Sequence, residues 1–272
     1  MFKSHLQGLG QRTLLALILA SPLSQAADLT DAQTIVSQAN VASYYRGEDG
    51  RSEARMLIRD AQGREQVRQF TILRRDREDG GDQDFLVAFS RPADVRNTVF
   101  MVAKHTRSED DRWLYLPGLD LVKRISAGDK RTSFVGSHYF YEDVSGRNLN
   151  EDTHQLAETT AEHYVIDAAP KDPASVEFKS YRVWIDKQTL LPMTIEYKDS
   201  ADQLYRKVEV LKVEDVSGFP TVTKSRVSDL RSGGTTTMQF RFIKYDLGME
   251  EAVFTERSLR QPPREWLRRP KS

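Results

Sequence analysis

Cysteine is absent from this 272-residue chain. That excludes disulfide staples, thiol catalysis, Cys-ligated zinc and a lipidated N-terminal cysteine. Neither sign of charge is in excess, with 40 Lys and Arg against 40 Asp and Glu. The chain therefore has no electrostatic footprint for nucleic acid and no global attraction to an anionic membrane surface. No apolar run approaches the roughly 20 residues a bilayer-spanning helix needs. HExxH, GxSxG, P-loop and GxGxxG sequences are missing too, so none of the common nucleophile, metal or nucleotide motifs points to an enzyme or to a cofactor.

What is present begins with a leader. Lys3 and Arg12 supply a positive n-region before a short apolar run at Leu14 to Ala20, and Ser24-Gln25-Ala26 offers small residues for a cleavage site. Residues 1–27 thus read as a cleaved secretory signal peptide, and the rest as an exported, periplasmic protein. Without Lys3 and Arg12, 38 basic residues face 40 acidic ones, so the mature chain stays near neutral.

Thr30 and Gln33 fit a capping box, and Ile35, Val36, Ala39 and Ala42 recur at helical spacing. They predict one amphipathic helix over about residues 31–44. The period then changes to two, and alternating runs separated by Gly, Asp, Asn and Ser turns continue to Tyr245. They predict about eleven antiparallel strands in a meander. Residues 28–255 read as one domain. Residues 256–272, with Pro262, Pro263 and Pro270 among arginines and lysines, read as a basic tail that joins no sheet and is surface-bound or mobile.

The apolar strand face comprises Met56, Ile58, Phe70, Ile72, Phe85, Val87, Phe89, Phe100, Val102, Leu114, Leu116, Val183, Ile195, Val208, Val210, Met238, Phe240 and Phe242. One helix is little cover for so much apolar surface. From periodicity alone, the ordinary explanation is a closed, filled core, and the alternative is a curved sheet whose concave side holds an apolar ligand.

The most unusual stretch is Trp113 to Asp143. It joins W-x-Y-L-P at Trp113 to Pro117, V-K-R-I at Val122 to Ile125, Arg131, and S-F-V-G-S-H-Y-F-Y-E-D at Ser133 to Asp143. This run resembles the LolA-like family of outer-membrane lipoprotein-sorting proteins, in particular its larger branch associated with RND (MMPL-type) exporters of the inner membrane. The resemblance implies a mainly β, α+β fold: a curved antiparallel half-barrel with a helical lid over an apolar cavity. It also implies a periplasmic carrier or exporter-accessory protein, not an enzyme and with no cofactor, whose partners are lipoprotein acyl chains, lipid or other hydrophobic cargo and an RND/MMPL-type exporter. Such a protein is expected to be a monomer. The alternative is an interaction module that braces or regulates the exporter and carries nothing.

Within the stretch, strand alternation sends Leu114 and Leu116 to the cavity side and Trp113 and Tyr115 to the other. Ser137 to Glu142 reads as one helical turn. Lys123, Arg124, Arg131, Phe140, Glu142 and Asp143 are the candidates for gating or partner contact, with Glu142 and Asp143 pairing to Arg124 or Arg131 as a structural tie. Glu142, Asp143 and His138 lack an adjacent nucleophile, so no catalytic residue is assigned. His138 and Glu142 have the spacing of two metal ligands on a helix but no third, so no metal site is assigned.

Overall fold

The computed structural model describes residues 28–268; the leader expected at 1–27 and the last residues of the tail lie outside them. The helix α1 (Ala32–Tyr44) is capped by Asp31, whose carboxylate accepts from the Thr34 backbone at 2.7 Å and the Thr34 hydroxyl at 2.6 Å. The cap thus lies one residue beyond the expected Thr30. A carboxylate answers both the free N–H groups and the positive end of the helix dipole, which a hydroxyl cannot. These same hydrogen bonds hold the Asp31 carboxyl below its ordinary value.

Thirteen strands follow: β1 (Asp49–Arg59), β2 (Glu65–Asp76), β3 (Gln83–Arg91), β4 (Val99–Lys104), β5 (Asp111–Leu116), β6 (Leu121–Ile125), β7 (Asp152–Thr159), β8 (His163–Pro170), β9 (Ser180–Asp186), β10 (Pro192–Lys198), β11 (Leu204–Val216), β12 (Phe219–Asp229) and β13 (Gly234–Tyr245). They form one curved, open antiparallel sheet in the order β6-β5-β4-β3-β2-β1-β13-β12-β11-β10-β9-β8-β7. Beyond the eleven or so strands the sequence predicts is β6, whose Lys123 and Arg124 look like a charged excursion. It is an edge strand, where charged side chains are the usual guard against pairing with another chain.

The first and last strands, β1 and β13, pair in the middle of the sheet, so its two free edges are β6 and β7. These are consecutive in sequence. The segment between them, residues 126–151, must therefore cross from one edge to the other, and it does so over the concave face. Inside it are a tight turn, with the Phe134 N–H donating to the Tyr139 carbonyl at 2.8 Å, and the short helix α2 (Tyr141–Ser145). The helical turn expected at Ser137 to Glu142 is displaced toward the C-terminus because Val135 and Gly136 take positive φ (47° and 79°) and reverse the chain first.

Both faces of the β1–β5 half are apolar, as the unbroken Phe85-Leu86-Val87-Ala88-Phe89 run of β3 requires. On the concave face Met56, Phe70, Val87 and Phe100 pack on Phe134 and Tyr141 of the crossing segment. On the convex face Leu73, Leu86, Val99 and Met101 pack on Val253, Phe254 and Leu259. The latter come from the C-terminal segment carrying α3 (Glu256–Arg260) and α4 (Arg264–Leu267). That segment joins no strand, yet Leu259 is fully buried and the buried Arg51 donates to the Trp266 carbonyl at 2.7 Å. The α1 helix covers the other half, laying Ile35, Val36 and Ala39 on Tyr164, Ile166, Val183 and Ile185. Among the described residues no helix is long and apolar enough to cross a membrane.

Candidate functional site

Between α1 and the crossing segment the concave face is left uncovered, and there lies a cavity of about 370 Å³. Of the apolar residues picked out by strand period, Phe70, Ile72, Phe85, Val87, Ile195, Val208, Val210, Met238 and Phe240 line it. A further seven, Met56, Ile58, Phe89, Phe100, Val102, Leu114 and Leu116, lie in the part of the face that the crossing segment fills. Val183 is buried under α1.

Phe242 is a correction. It is 51% exposed rather than turned inward. Opposite the single residue Ser52 of β1, β13 carries two, Phe242 and Ile243, and Phe242 has φ of 51°. This bulge inserts one residue and reverses the alternation beyond it. Ile243 and Tyr245 consequently line the cavity in its place.

The filled part is aromatic. Phe134 is 1% exposed, with its ring centroid 5.5 Å from Phe100, 5.6 Å from Tyr141, 5.7 Å from Phe89 and 6.2 Å from Phe70. Aromatic pairs in this range add stabilisation beyond their buried area. The crossing segment is thus a wall of the cavity that shares its core with the sheet. Leu114 and Leu116 meet this inner cluster, and Trp113 and Tyr115 the convex one.

Charged ties fasten the wall to the far half of the sheet. Arg131, a candidate for partner contact or for a tie to Glu142, has only 6% of its side chain exposed. It holds Glu142 at 2.5 Å and Glu177 at 2.8 Å, and stacks on Phe178 with its guanidinium 4.8 Å from the ring centre. Arg147 also reaches Glu142 at 3.1 Å, and Asp152 at 2.8 Å. Burial opposes the charge of Glu142, but the Arg131, Arg147 and Lys130 cations outweigh it and hold its carboxyl below the ordinary range. At Glu177 burial is likewise overcome by the Arg131 hydrogen bond and charge, which bring the carboxyl down to about 2. Asp143 does not pair with Arg124 or Arg131. It accepts from the Phe140 N–H at 2.7 Å, capping α2, and from the buried Arg206 at 2.5 Å. Phe140 stacks on the Arg206 guanidinium at 4.4 Å.

Arg124 instead bonds Asp111 across the β5–β6 hairpin, and both it and Lys123 are exposed on the edge strand. The His138 ring is hydrogen-bonded to Thr236 at 2.8 Å, away from the arginine-held Glu142. On the other side, Arg74 clamps the end of α1 by donating to the Arg46 and Gly47 carbonyls, each at 2.7 Å. Lys104, its pKa pushed down to about 8 by burial, donates to the Ser145 carbonyl at 2.5 Å and lies over the Tyr44 ring.

Sequence reasoning did not single out Arg147, Glu177, Arg206 or Phe134. Arg206 carried a signal, since it shares a strand face with Val208 and Val210, and a cation on an apolar face implies a buried partner. Phe134 sat in plain view within the unusual stretch. Arg147 and Glu177 had none, because their role depends on long-range pairing.

A family model described as an uncharacterized protein matches residues 81–261. No curated protein matches. Among solved structures, a DUF1329 family protein from Desulfovibrio piger is 30% identical over 83% of this chain and 96% of that one, with a TM-score of 0.76. A putative outer membrane lipoprotein-sorting protein domain from Vibrio parahaemolyticus is 25% identical over 84% and 98%, with a TM-score of 0.76. A LolA superfamily protein from Nitrosomonas europaea, 18% identical over 85% and 99% with a TM-score of 0.64, shares the fold. With the curved sheet, the covering helix and the crossing segment, these likenesses identify the chain as a member of the DUF1329 family with a LolA-like fold, similar to an outer-membrane lipoprotein-sorting domain.

Proposed function

We propose that this protein is a periplasmic carrier or exporter-accessory protein that holds an acyl chain of a lipoprotein, a lipid or another hydrophobic molecule in the concave cavity. The observation that carries this reading is an apolar space of about 370 Å³, walled by strands on one side and by α1 and the crossing segment on the other. That volume lies in the range of roughly 300–1,000 Å³ typical of ligand sites. An acyl chain gains about 0.8 kcal/mol for each methylene removed from water. Transit through an aqueous compartment therefore calls for a container of this kind, and no acid-base pair need accompany it.

The leader at 1–27 would direct export and be cleaved, the half-barrel at 28–255 would act as a monomer, and the basic tail at 256–272 would cover its outer face with the part up to Leu267. An inner-membrane RND/MMPL-type exporter is the proposed donor or acceptor of the cargo. Of the six candidates for gating or partner contact, Lys123 and Arg124 on the edge strand β6 are the exposed ones, and they are the proposed contact with it. A second reading, a module that braces the exporter without carrying cargo, draws on how much of the concave face Phe134 and Tyr141 fill. Native mass spectrometry of protein taken from the periplasm separates the two. Carriage predicts a population heavier than the mature chain by the mass of a lipid. Uniformly unliganded protein, still in complex with its exporter, would favour bracing.

A further inference from the structure

The sheet is split beside the cavity. β12 pairs with β13 only from Lys224 opposite Gln239 to Asp229 opposite Gly234. Nearer the Ser217-Gly218 turn, β12 continues on β11 alone, while β13 from Arg241 to Tyr245 continues on β1 alone. The strands part where the Phe242 bulge re-aims β13, leaving a gap with Pro220, Thr221 and Val222 on one side and Phe240, Ile243 and Tyr245 on the other. All six also line the cavity. Small contacts cross the gap: a hydrogen bond of 2.9 Å between the Thr221 and Tyr245 hydroxyls, and the Phe219 and Tyr245 rings edge to face at 5.4 Å.

Arg46 stands at this opening, just past the end of α1. Three arginines line the cavity. Arg51 is matched by Glu53 at 3.0 Å and Arg74 by Asp76 at 3.0 Å. The one lining carboxylate, Asp143, is taken by Arg206 at 2.5 Å. Among the described residues Arg46 has no carboxylate partner. Its Nε donates to the Ala42 carbonyl at 3.2 Å, and its guanidinium lies 6.0 Å from the centre of the Phe219 ring. The cavity is therefore apolar along its length and carries one uncompensated, half-buried cation at its lateral opening.

We propose that Arg46 is the head-group site for a single-chain anionic amphiphile, carboxylate- or phosphate-headed, whose tail lies in the cavity and enters between β12 and β13. The inference rests on the carrier reading and names its ligand class. At roughly 30 Å³ for each methylene, the volume of a water molecule in the liquid, the space of about 370 Å³ has room for at least one tail of about a dozen methylenes. Guanidinium N–H groups suit either carboxylate or phosphate oxygens. The last turn of α1 steadies Arg46 through the Ala42 carbonyl, at the helix end that favours a cation.

The test is displacement of the neutral dye N-phenylnaphthylamine by dodecanoate, dodecyl phosphate and dodecanol, from the full mature chain and from Arg46→Gln and Arg46→Lys. In the wild type both anions should displace the dye at concentrations at least about tenfold below dodecanol, equal to 1.4 kcal/mol. The more potent anion identifies the head group. Arg46→Gln should bring that ratio close to one, and Arg46→Lys should restore part of it. No preference for the anions in the wild type, or the same preference in Arg46→Gln, overturns the head-group site while leaving carriage intact. A wild type that binds neither dye nor dodecanol overturns the carrier reading itself and this inference with it.

Discussion

Replacing Phe134 with Ala tests whether residues 126–151 are a wall or a loose lid. The ring is 1% exposed and touches four others, from Phe70, Phe89, Phe100 and Tyr141. Truncating a Phe in so packed a place costs about 3–5 kcal/mol, the lost transfer energy plus the cavity left behind. For a domain of this size each kcal/mol moves the melting temperature by roughly 2–4 °C, so a fall on the order of 10 °C should appear in a thermal scan followed by circular dichroism. Phe134 also lines the ligand space, so the variant should take up more N-phenylnaphthylamine below its melting point. A loose lid would behave otherwise, opening and closing without the sheet. A melting temperature within about 2 °C of the wild type, with unchanged dye uptake, would mean that the crossing segment is a flap and not a wall.

Two further outcomes follow. The Glu177 carboxyl lies at about 2 in the folded protein against an ordinary 4.5, so the stability it lends is present above about pH 4.5 and is lost as pH falls toward 2. Urea midpoints measured from pH 6 to 3 should therefore fall more steeply for the wild type than for Glu177→Gln, and parallel declines would contradict the tie to Arg131. Leu259→Ala, on the convex face, should lower stability by about 2–5 kcal/mol because that side chain is fully buried. A midpoint unchanged in urea would mean that the C-terminal segment contributes nothing to the body.

The strand period was legible because one face of nearly every strand is buried, and it correctly separated Leu114 and Leu116 from Trp113 and Tyr115. It failed at Phe242, where a local bulge changes the parity and leaves no mark in the apolar pattern. It also could not tell cavity from filled core. Val210 and Phe100 alternate alike, and only the path of residues 126–151 decides that one lines open space and the other meets Phe134. The crossing path itself follows from β1 pairing with β13, a contact between strands almost two hundred residues apart that no local signal encodes. The tie between Glu142 and Arg131 was expected and is present, since both lie in one short stretch. Asp143 with Arg206 was not, being set by how the wall meets β11.

The proposed binding site is the space between α1, the wall and strands β1 to β3 and β10 to β13. Val210 lines it and is only partly buried, so Val210→Trp can fill it from the rim without breaking the aromatic core. The decisive measurement is titration of N-phenylnaphthylamine into the wild type and this variant. The account predicts one dye per wild-type chain and an affinity at least about tenfold weaker in Val210→Trp, a loss of about 1.4 kcal/mol, with the melting temperature held. Equal binding by a correctly folded Val210→Trp would contradict it.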